Sequence, residues 1–337
     1  MNSGTMENFL KGKTILVTGT TGFLAKVFVE KILRIQPEIK KLYLLVRASN
    51  TDLASYRLKN EVFQKDLFRV LREKLGEDFN SFISKKVEVV AGDVAVENFG
   101  IKDNNIKNAM FEEIDLIVNS AATTNFDERF DNSMGVNTMG ALHVLNIAKK
   151  CHKVKLLVHI STVSISYILN TTKYMNVFFI FKIKWSKNLN FLPMALVILI
   201  CWYSLILAYV CGKTEEGESN FQEKPFEMNQ SLKGTSQLDI HTEMNLLEKK
   251  LDELRGMKVD ENKIKHVMKD YGIERANLHG WPNTYVFTKA MGEMLLVHHK
   301  DNVPLIIIRP TMVTSTSKDP FSGWIEGQRY IIFITLI

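Results

Sequence analysis

Up to about residue 162, short apolar runs alternate with longer stretches whose apolar positions recur every three to four residues. The runs at 15–18, 41–46, 87–91, 116–119 and 156–160 are largely apolar on consecutive positions, as in strands buried on both faces. Between them lie amphipathic helical stretches, including 57–75 and 135–150. Another opens directly after Gly22 and carries Phe23, Val27, Ile32 and Leu33 on its apolar side. Strand and helix alternating in this way predict an α/β fold, a Rossmann-like doubly wound parallel sheet with helices on both faces. The pattern resumes after residue 208. Leu247, Leu251 and Leu254 mark a surface helix, 285–300 another helix, and 305–308 a further buried strand that ends at Arg309 and Pro310.

Residues 163–207 interrupt this rhythm and contain no Gly, Asp, Glu, Arg, Gln or His. Within and just beyond them, 191–211 is an uncharged run long enough to cross a bilayer, which takes about 20 residues. Two readings compete: a membrane-spanning helix, or a translated non-coding insert, since Ile, Phe, Leu, Asn, Lys, Tyr and Met have largely AT-rich codons. The insert reading fits better. The segment begins where a strand ends, and a single crossing there would put Thr162 and Tyr285 on opposite sides of the membrane, with no second apolar span before Tyr285.

Composition narrows the class. A chain of 337 residues, 46% hydrophobic and 24% charged, has globular proportions and room for one large domain or two smaller ones. Cys151, Cys201 and Cys211 have no paired spacing, so a reducing compartment is expected, with neither a disulfide framework nor a metal site. The N-terminal stretch MNSGTMENFLKGKTILV reaches the first strand too soon for a secretory or transit sequence. The net charge of +6 leans on Lys173, Lys182, Lys184 and Lys187 inside the odd segment; without these four, 39 basic residues face 37 acidic ones. No basic stripe interleaves with aromatics, so nucleic-acid binding is not expected.

Ligands of doubly wound sheets bind at the carboxyl ends of the strands. Those ends carry Gly19, Gly22, Arg47, Asp93, the stretch Asn119-Ser-Ala-Ala122, Ser161 and Thr162. Gly19, Gly22 and Ala25 form a G-x-x-G-x-x-A turn between strand and helix, where glycines admit a pyrophosphate and the helix dipole favours its charge. The expected dinucleotide-binding set is Gly19, Thr21, Gly22, Phe23, Leu24, Arg47, Asp93, Val94, Ala121, Tyr285, Lys289 and Pro310. Arg47 suits a 2′-phosphate and so NADPH, with Asp52 nearby leaving the 2′-hydroxyl alternative open. Asp93 serves either the adenine amino group or a turn. Asn137 is either a helix-interior hydrogen-bonder supporting the lysine or a cap. Tyr285 and Lys289 stand four residues apart on one helix face. That pairing suits a phenol acting as proton donor, with an ammonium to lower its pKa. A hydroxyl from Thr162 or Ser161 can orient the same carbonyl oxygen.

The motifs VTGTTGFLAKVFVEKIL, YLLVRA, NSAATTNFDERFD (119–131), HGWPNTYVFTKAMGEM (279–294), IIIRPTMV (306–313) and GWIEGQR (323–329) together resemble the extended short-chain dehydrogenase/reductases. Within these the chain is most similar to the plant-type alcohol-forming fatty acyl-CoA reductases, the male-sterility family. The resemblance implies NADPH-dependent reduction of a long-chain acyl-CoA through an aldehyde to a primary alcohol, for wax, cutin or suberin-type lipid. It also implies Thr162, Tyr285 and Lys289 as the catalytic set, and a place on the cytosolic face of the endoplasmic reticulum membrane or in the cytoplasm. A sugar-nucleotide epimerase or dehydratase and a non-catalytic membrane-associated protein are the alternatives.

Two departures qualify the resemblance. In the family the Ser-Thr pair runs straight into Ala-Tyr-Val-Cys-Gly, which here begins only at Ala208. The family also continues past GWIEGQR into a C-terminal helical domain, whereas this chain turns apolar from Tyr330. The expected organisation is therefore one reductase domain over 10–329, interrupted by 163–207, with the C-terminal domain absent. Because the insert follows Thr162 directly, the chain as written is expected to be an inactive or barely active enzyme.

Overall fold

A computed structural model describes residues 9–162, 226–233, 237–310, 315–316 and 318–326. Six strands, β1 (Thr14–Thr18), β2 (Lys41–Val46), β3 (Val87–Ala91), β4 (Leu116–Asn119), β5 (Leu156–Ile160) and β6 (Leu305–Ile308), form one sheet in the order β3-β2-β1-β4-β5-β6. Every pairing is parallel. The expected doubly wound sheet is thus present, and all six apolar runs are strands. The order reverses between β1 and β4, which opens a crevice at their carboxyl ends.

Period-two alternation divides the core between the two faces. Ile15, Val17, Leu44, Val118, Val158 and Ile160 face the helix α1 (Phe23–Ile35), where Phe28 and Ile32 are buried. On the other face Leu16, Leu45, Ile117 and Leu157 join Val144, Leu145 and Ala148. Those three belong to a helix that starts at Phe130, passes through a π-helical stretch at 134–139 and runs on as Gly140–Lys150.

The single helix expected over 57–75 is broken. Thr51–Leu58 leads into a π turn, Lys65 turns extended at ψ 151°, and a short 3₁₀ turn precedes Arg69–Leu75. The break lets Phe63, Leu67 and Phe68 all reach the core, Phe63 and Phe68 meeting edge to face. The Phe63 carbonyl accepts from Arg72 Nη1 at 2.6 Å, and the Lys65 carbonyl from Arg72 Nη1 at 3.0 Å and from the Phe68 N–H at 3.0 Å.

The expected surface helix is Ile240–Gly256, joined by Glu261–Leu278, which periodicity did not single out. The helix Thr284–His299 is capped by Asn283, whose side chain accepts from the Val286 N–H. It lies close against 134–139 because Gly292 has no Cβ to strike the Asn137 carbonyl. Among the described residues no helix is long and apolar enough to cross a membrane; the run 191–211 and the Ala208 motif lie outside them.

Candidate active site

The turn after β1 needs glycine at one position above all. Gly19 sits at φ +69°, and a Cβ there would lie 2.7 Å from the Ala121 backbone. Gly22 has an ordinary φ of −83°; it is the N-cap of α1, with no side-chain cap, and donates to the Gly19 carbonyl at 2.8 Å. No acid stands in the first turn of α1, so its positive dipole end is uncompensated there. Thr20 ties the turn to β2 through the Leu45 carbonyl, at 2.7 Å. Thr21 and Leu24 are partly exposed beside it. The Phe23 ring stacks on Trp324 at 4.9 Å, and Ala25 is buried against the sheet.

Arg47 is exposed at the end of β2, its carbonyl accepting from Arg57. Asp52 lies in the first turn of the following helix, where the dipole favours a carboxylate. Asp93 accepts from the Ala95 N–H at 2.9 Å, the turn role, without excluding a second partner. Val94 is buried against Gly140, its carbonyl 2.8 Å from His143 Nδ1. The Ala121 N–H donates to Thr18 Oγ1. Pro310 is buried beside Arg309, which forks onto the buried Glu293 carboxylate.

Tyr285 and Thr162 meet at the end of β5. The phenol is 9% exposed and its pKa is pushed up to about 12 by burial, with the Thr162 hydroxyl bond pulling the other way. Ser161 Oγ is buried and has no hydrogen-bond partner among the described residues. Of the two hydroxyls left open by sequence, Thr162 is the one that engages the phenol. Lys289 is 1% exposed, and burial draws its pKa down to about 8 against the pull of Glu293. Its ammonium donates to the Ile160 carbonyl at 2.6 Å. Asn137 is a helix-interior hydrogen-bonder and not a cap. It accepts from the Thr123 N–H and donates to Thr288 Oγ1, one residue short of the lysine. The ammonium expected to lower the phenol's pKa does not do so, because burial dominates and raises it. The set offers a neutral proton donor beside a hydroxyl, with a buried lysine one turn further along the helix.

The family model described as "Male sterility protein", an NAD-binding domain, matches residues 17–337. The chain belongs to the male sterility family. Fatty acyl-CoA reductase 8 of Arabidopsis thaliana is 50% identical over 326 residues, 96% of this chain and 56% of that protein. The alcohol-forming fatty acyl-CoA reductase of Simmondsia chinensis is 48% identical over 97% of this chain and 57% of its own length. The chain spans about half the length of the curated relatives it matches. Among solved structures, the terminal R domain of the myxalamid pathway aligns at a TM-score of 0.48 and 17% identity, over 91% of this chain and 51% of that one.

Membership in an NAD(P)-binding family accounts for the crevice but not for everything around it. Sequence reasoning passed over Thr18 and His159 and placed Asn119 only at a strand end; the three form a buried chain of hydrogen bonds ending at Lys289. The available signal was a polar residue inside or closing each of three apolar strands. The Glu293–Arg309 pair behind the lysine was equally unmarked.

Burial of Lys289 has a measurable cost. A lysine pKa lowered from 10.5 to about 8 corresponds to roughly 3 kcal/mol by which burial disfavours the ammonium. Leaving the Ile160 carbonyl unpaired offsets about 1–3 kcal/mol of any gain from removing it. Below pH 8 both folded and unfolded lysine are protonated and the full penalty applies. Between pH 8 and 10.5 the unfolded chain binds more protons, so wild-type stability rises with pH. Lys289→Met is expected to be most favourable relative to wild type near pH 7 and to lose that advantage towards pH 10. Urea titrations across this range check it, and a stability difference independent of pH would contradict it.

Proposed function

We propose that this chain carries the active site of an NADPH-dependent reductase that converts long-chain fatty acyl-CoA through an aldehyde to a primary alcohol. The observation carrying most weight is the Tyr285–Thr162 pair at the sheet's carboxyl edge, in a chain whose relatives are named fatty acyl-CoA reductases. The cradle at Gly19 fits a dinucleotide, because a Cβ there would occupy the narrow space between the turn and Ala121. When bound, the cofactor supplies hydride. In the first round Thr162 holds the thioester oxygen and Tyr285 gives it a proton as charge develops there. As the resulting hemithioacetal breaks its C–S bond, its hydroxyl proton returns to the Tyr285 phenolate, and CoA leaves as a thiolate that takes a proton from solvent, leaving the aldehyde. In the second round the same two hydroxyls handle the aldehyde oxygen, and a proton from Tyr285 completes the alcohol. The high phenol pKa keeps the proton in place until the oxyanion forms. Lys289 holds its charge one helical turn behind.

On this reading 163–207 lies outside the catalytic fold, and the domain is continuous when Thr162 runs directly into Ala208. The site of action follows from the lipid substrate, the cytosolic face of the endoplasmic reticulum membrane or the cytoplasm.

Arg47 is the residue proposed to select NADPH. One charge-assisted contact to the 2′-phosphate is worth about 1.5–3 kcal/mol. Arg47→Ala should therefore weaken NADPH roughly tenfold or more and NADH hardly at all, read as dissociation constants from nucleotide fluorescence. Equal weakening of both would mean that Arg47 serves structure alone. The reading as a whole is tested by product analysis with NADPH and acyl-CoA.

A further inference from the structure

Three register-matched positions on neighbouring strands carry polar side chains on one face of the sheet. Thr18 of β1 pairs with Asn119 of β4, and Asn119 pairs with His159 of β5. All three are almost wholly buried. Thr18 Oγ1 donates to Asn119 Oδ1 at 2.7 Å, Asn119 Nδ2 lies 2.9 Å from His159 Nδ1, and His159 Nε2 lies 3.4 Å from Lys289 Nζ. A polar chain in a sheet core is costly unless each member is satisfied. Here the one open-ended group is the lysine.

The ladder has two polarities, which differ at Thr18 as well: its Oγ1, which accepts from the Ala121 N–H in both, donates to Asn119 Oδ1 in one and accepts from the Asn119 amide in the other. With the Asn119 amide donating to Nδ1, the ring proton sits on Nε2 and points at Lys289, which suits a neutral amine. With the amide turned over, Oδ1 accepts from Nδ1–H and Nε2 is bare, which suits an ammonium. We propose that His159 is a positioning residue for Lys289, holding Nζ between Nε2 and the Ile160 carbonyl in either charge state by changing tautomer. The proton balance is simple. Nζ gains or loses one proton, whose other carrier is bulk solvent. The imidazole keeps one proton throughout, on Nδ1 beside the ammonium and on Nε2 beside the amine.

Burial and the lysine's charge both hold His159 far below the ordinary histidine range, so the ring stays neutral while Lys289 titrates near 8. The other charged group bearing on Nζ is Glu293, one turn further along the helix and clamped by Arg309 from the end of β6; Tyr285 precedes the lysine by one turn on the same helix. From the helix packed alongside come the neutral Asn137 and Thr138, both bonded to Thr288.

The inference rests on the reductase reading only in its kinetic arm. Nitrogen-15 labelling of histidine in the whole chain reads the tautomer directly, with His159 assigned by loss of its signals in His159→Gln. The His159 nitrogens should exchange character with a midpoint near pH 8 in the wild type, and Lys289→Met should abolish the change. Nitrogen shifts that are flat from pH 6 to 10, or that behave identically in Lys289→Met, would overturn the proposal. In the kinetic arm, Gln places a polar atom where Nε2 stands and Asn where Nδ1 stands. His159→Asn should lower kcat about tenfold with KM for the cofactor little changed, and move the alkaline limb of the pH profile downward. His159→Gln should stay within about threefold of wild type. Equal losses in both variants with an unmoved limb would make His159 purely structural. The kinetic arm uses the form in which Thr162 runs directly into Ala208; if that form shows no turnover, the reductase reading fails while the tautomer result stays decisive for His159.

Discussion

Tyr285→Phe should lower acyl-CoA reduction by about a thousandfold or more and leave the fold and nucleotide affinity essentially as they are. The substitution removes one oxygen from a ring already seated among buried residues, so no cavity opens. Among the described residues the hydroxyl bears on the buried Thr162 alone, so the substitution costs at most that one contact. What is lost is the proton donor, and a positioned general acid is worth roughly 10²–10⁴ in rate. Thr162→Val should cost less, since it orients the carbonyl oxygen without supplying the proton. Single-turnover hydride transfer with each variant separates the two roles. A Tyr285→Phe protein within tenfold of wild type would remove the phenol from the chemistry.

Gly19→Ala should abolish measurable nucleotide binding and destabilise the domain, whereas Gly22→Ala should do far less. Gly19 combines a left-handed φ of +69° with a Cβ position 2.7 Å from the Ala121 backbone. The first costs an alanine about 1–2 kcal/mol; the second forces the turn away from β4, which no flexible side chain can absorb. Gly22 has an ordinary φ, and its Cβ would lie 3.1 Å from one carbonyl oxygen. Both glycines read alike in the motif, and only backbone geometry ranks them. Chemical denaturation and nucleotide titration of the two variants give the comparison. Equal losses would mean the turn is not built around Gly19.

The strands were legible because a parallel sheet covered on both faces needs nearly continuous apolar runs, and Leu42–Val46 or Leu156–Val158 have no other use. Tyr285 and Lys289 stood out as candidates by their four-residue spacing on one helix face, whereas Thr162 was singled out only by the family resemblance. The break at Lys65 was not legible. No glycine or proline marks it, and what drives it is the joint burial of Phe63, Leu67 and Phe68 with Arg72 closing the gap. The choice between Ser161 and Thr162 depended on which hydroxyl the end of β5 turns toward the phenol. The Thr18–Asn119–His159 ladder was invisible for a related reason. Its members are about 40 and 101 residues apart and become neighbours only through the strand order β1-β4-β5. Asn119 and His159 stand out in apolar runs, yet no pattern within one strand says what they face.

The most direct measurement supplies long-chain acyl-CoA of graded length, with NADPH deuterated at the transferred position. It is made on the 337-residue chain and on the form in which Thr162 runs directly into Ala208. The joined form should yield a primary alcohol with two deuterium atoms on its first carbon, and a trapped aldehyde with one. The chain as written should yield at least about a thousandfold less, because 45 extra residues joined directly to the catalytic hydroxyl leave little to hold it within the roughly half an ångström that productive geometry allows. A joined form that binds NADPH yet makes no labelled aldehyde or alcohol at any chain length would contradict the assignment of this site to acyl-CoA reduction.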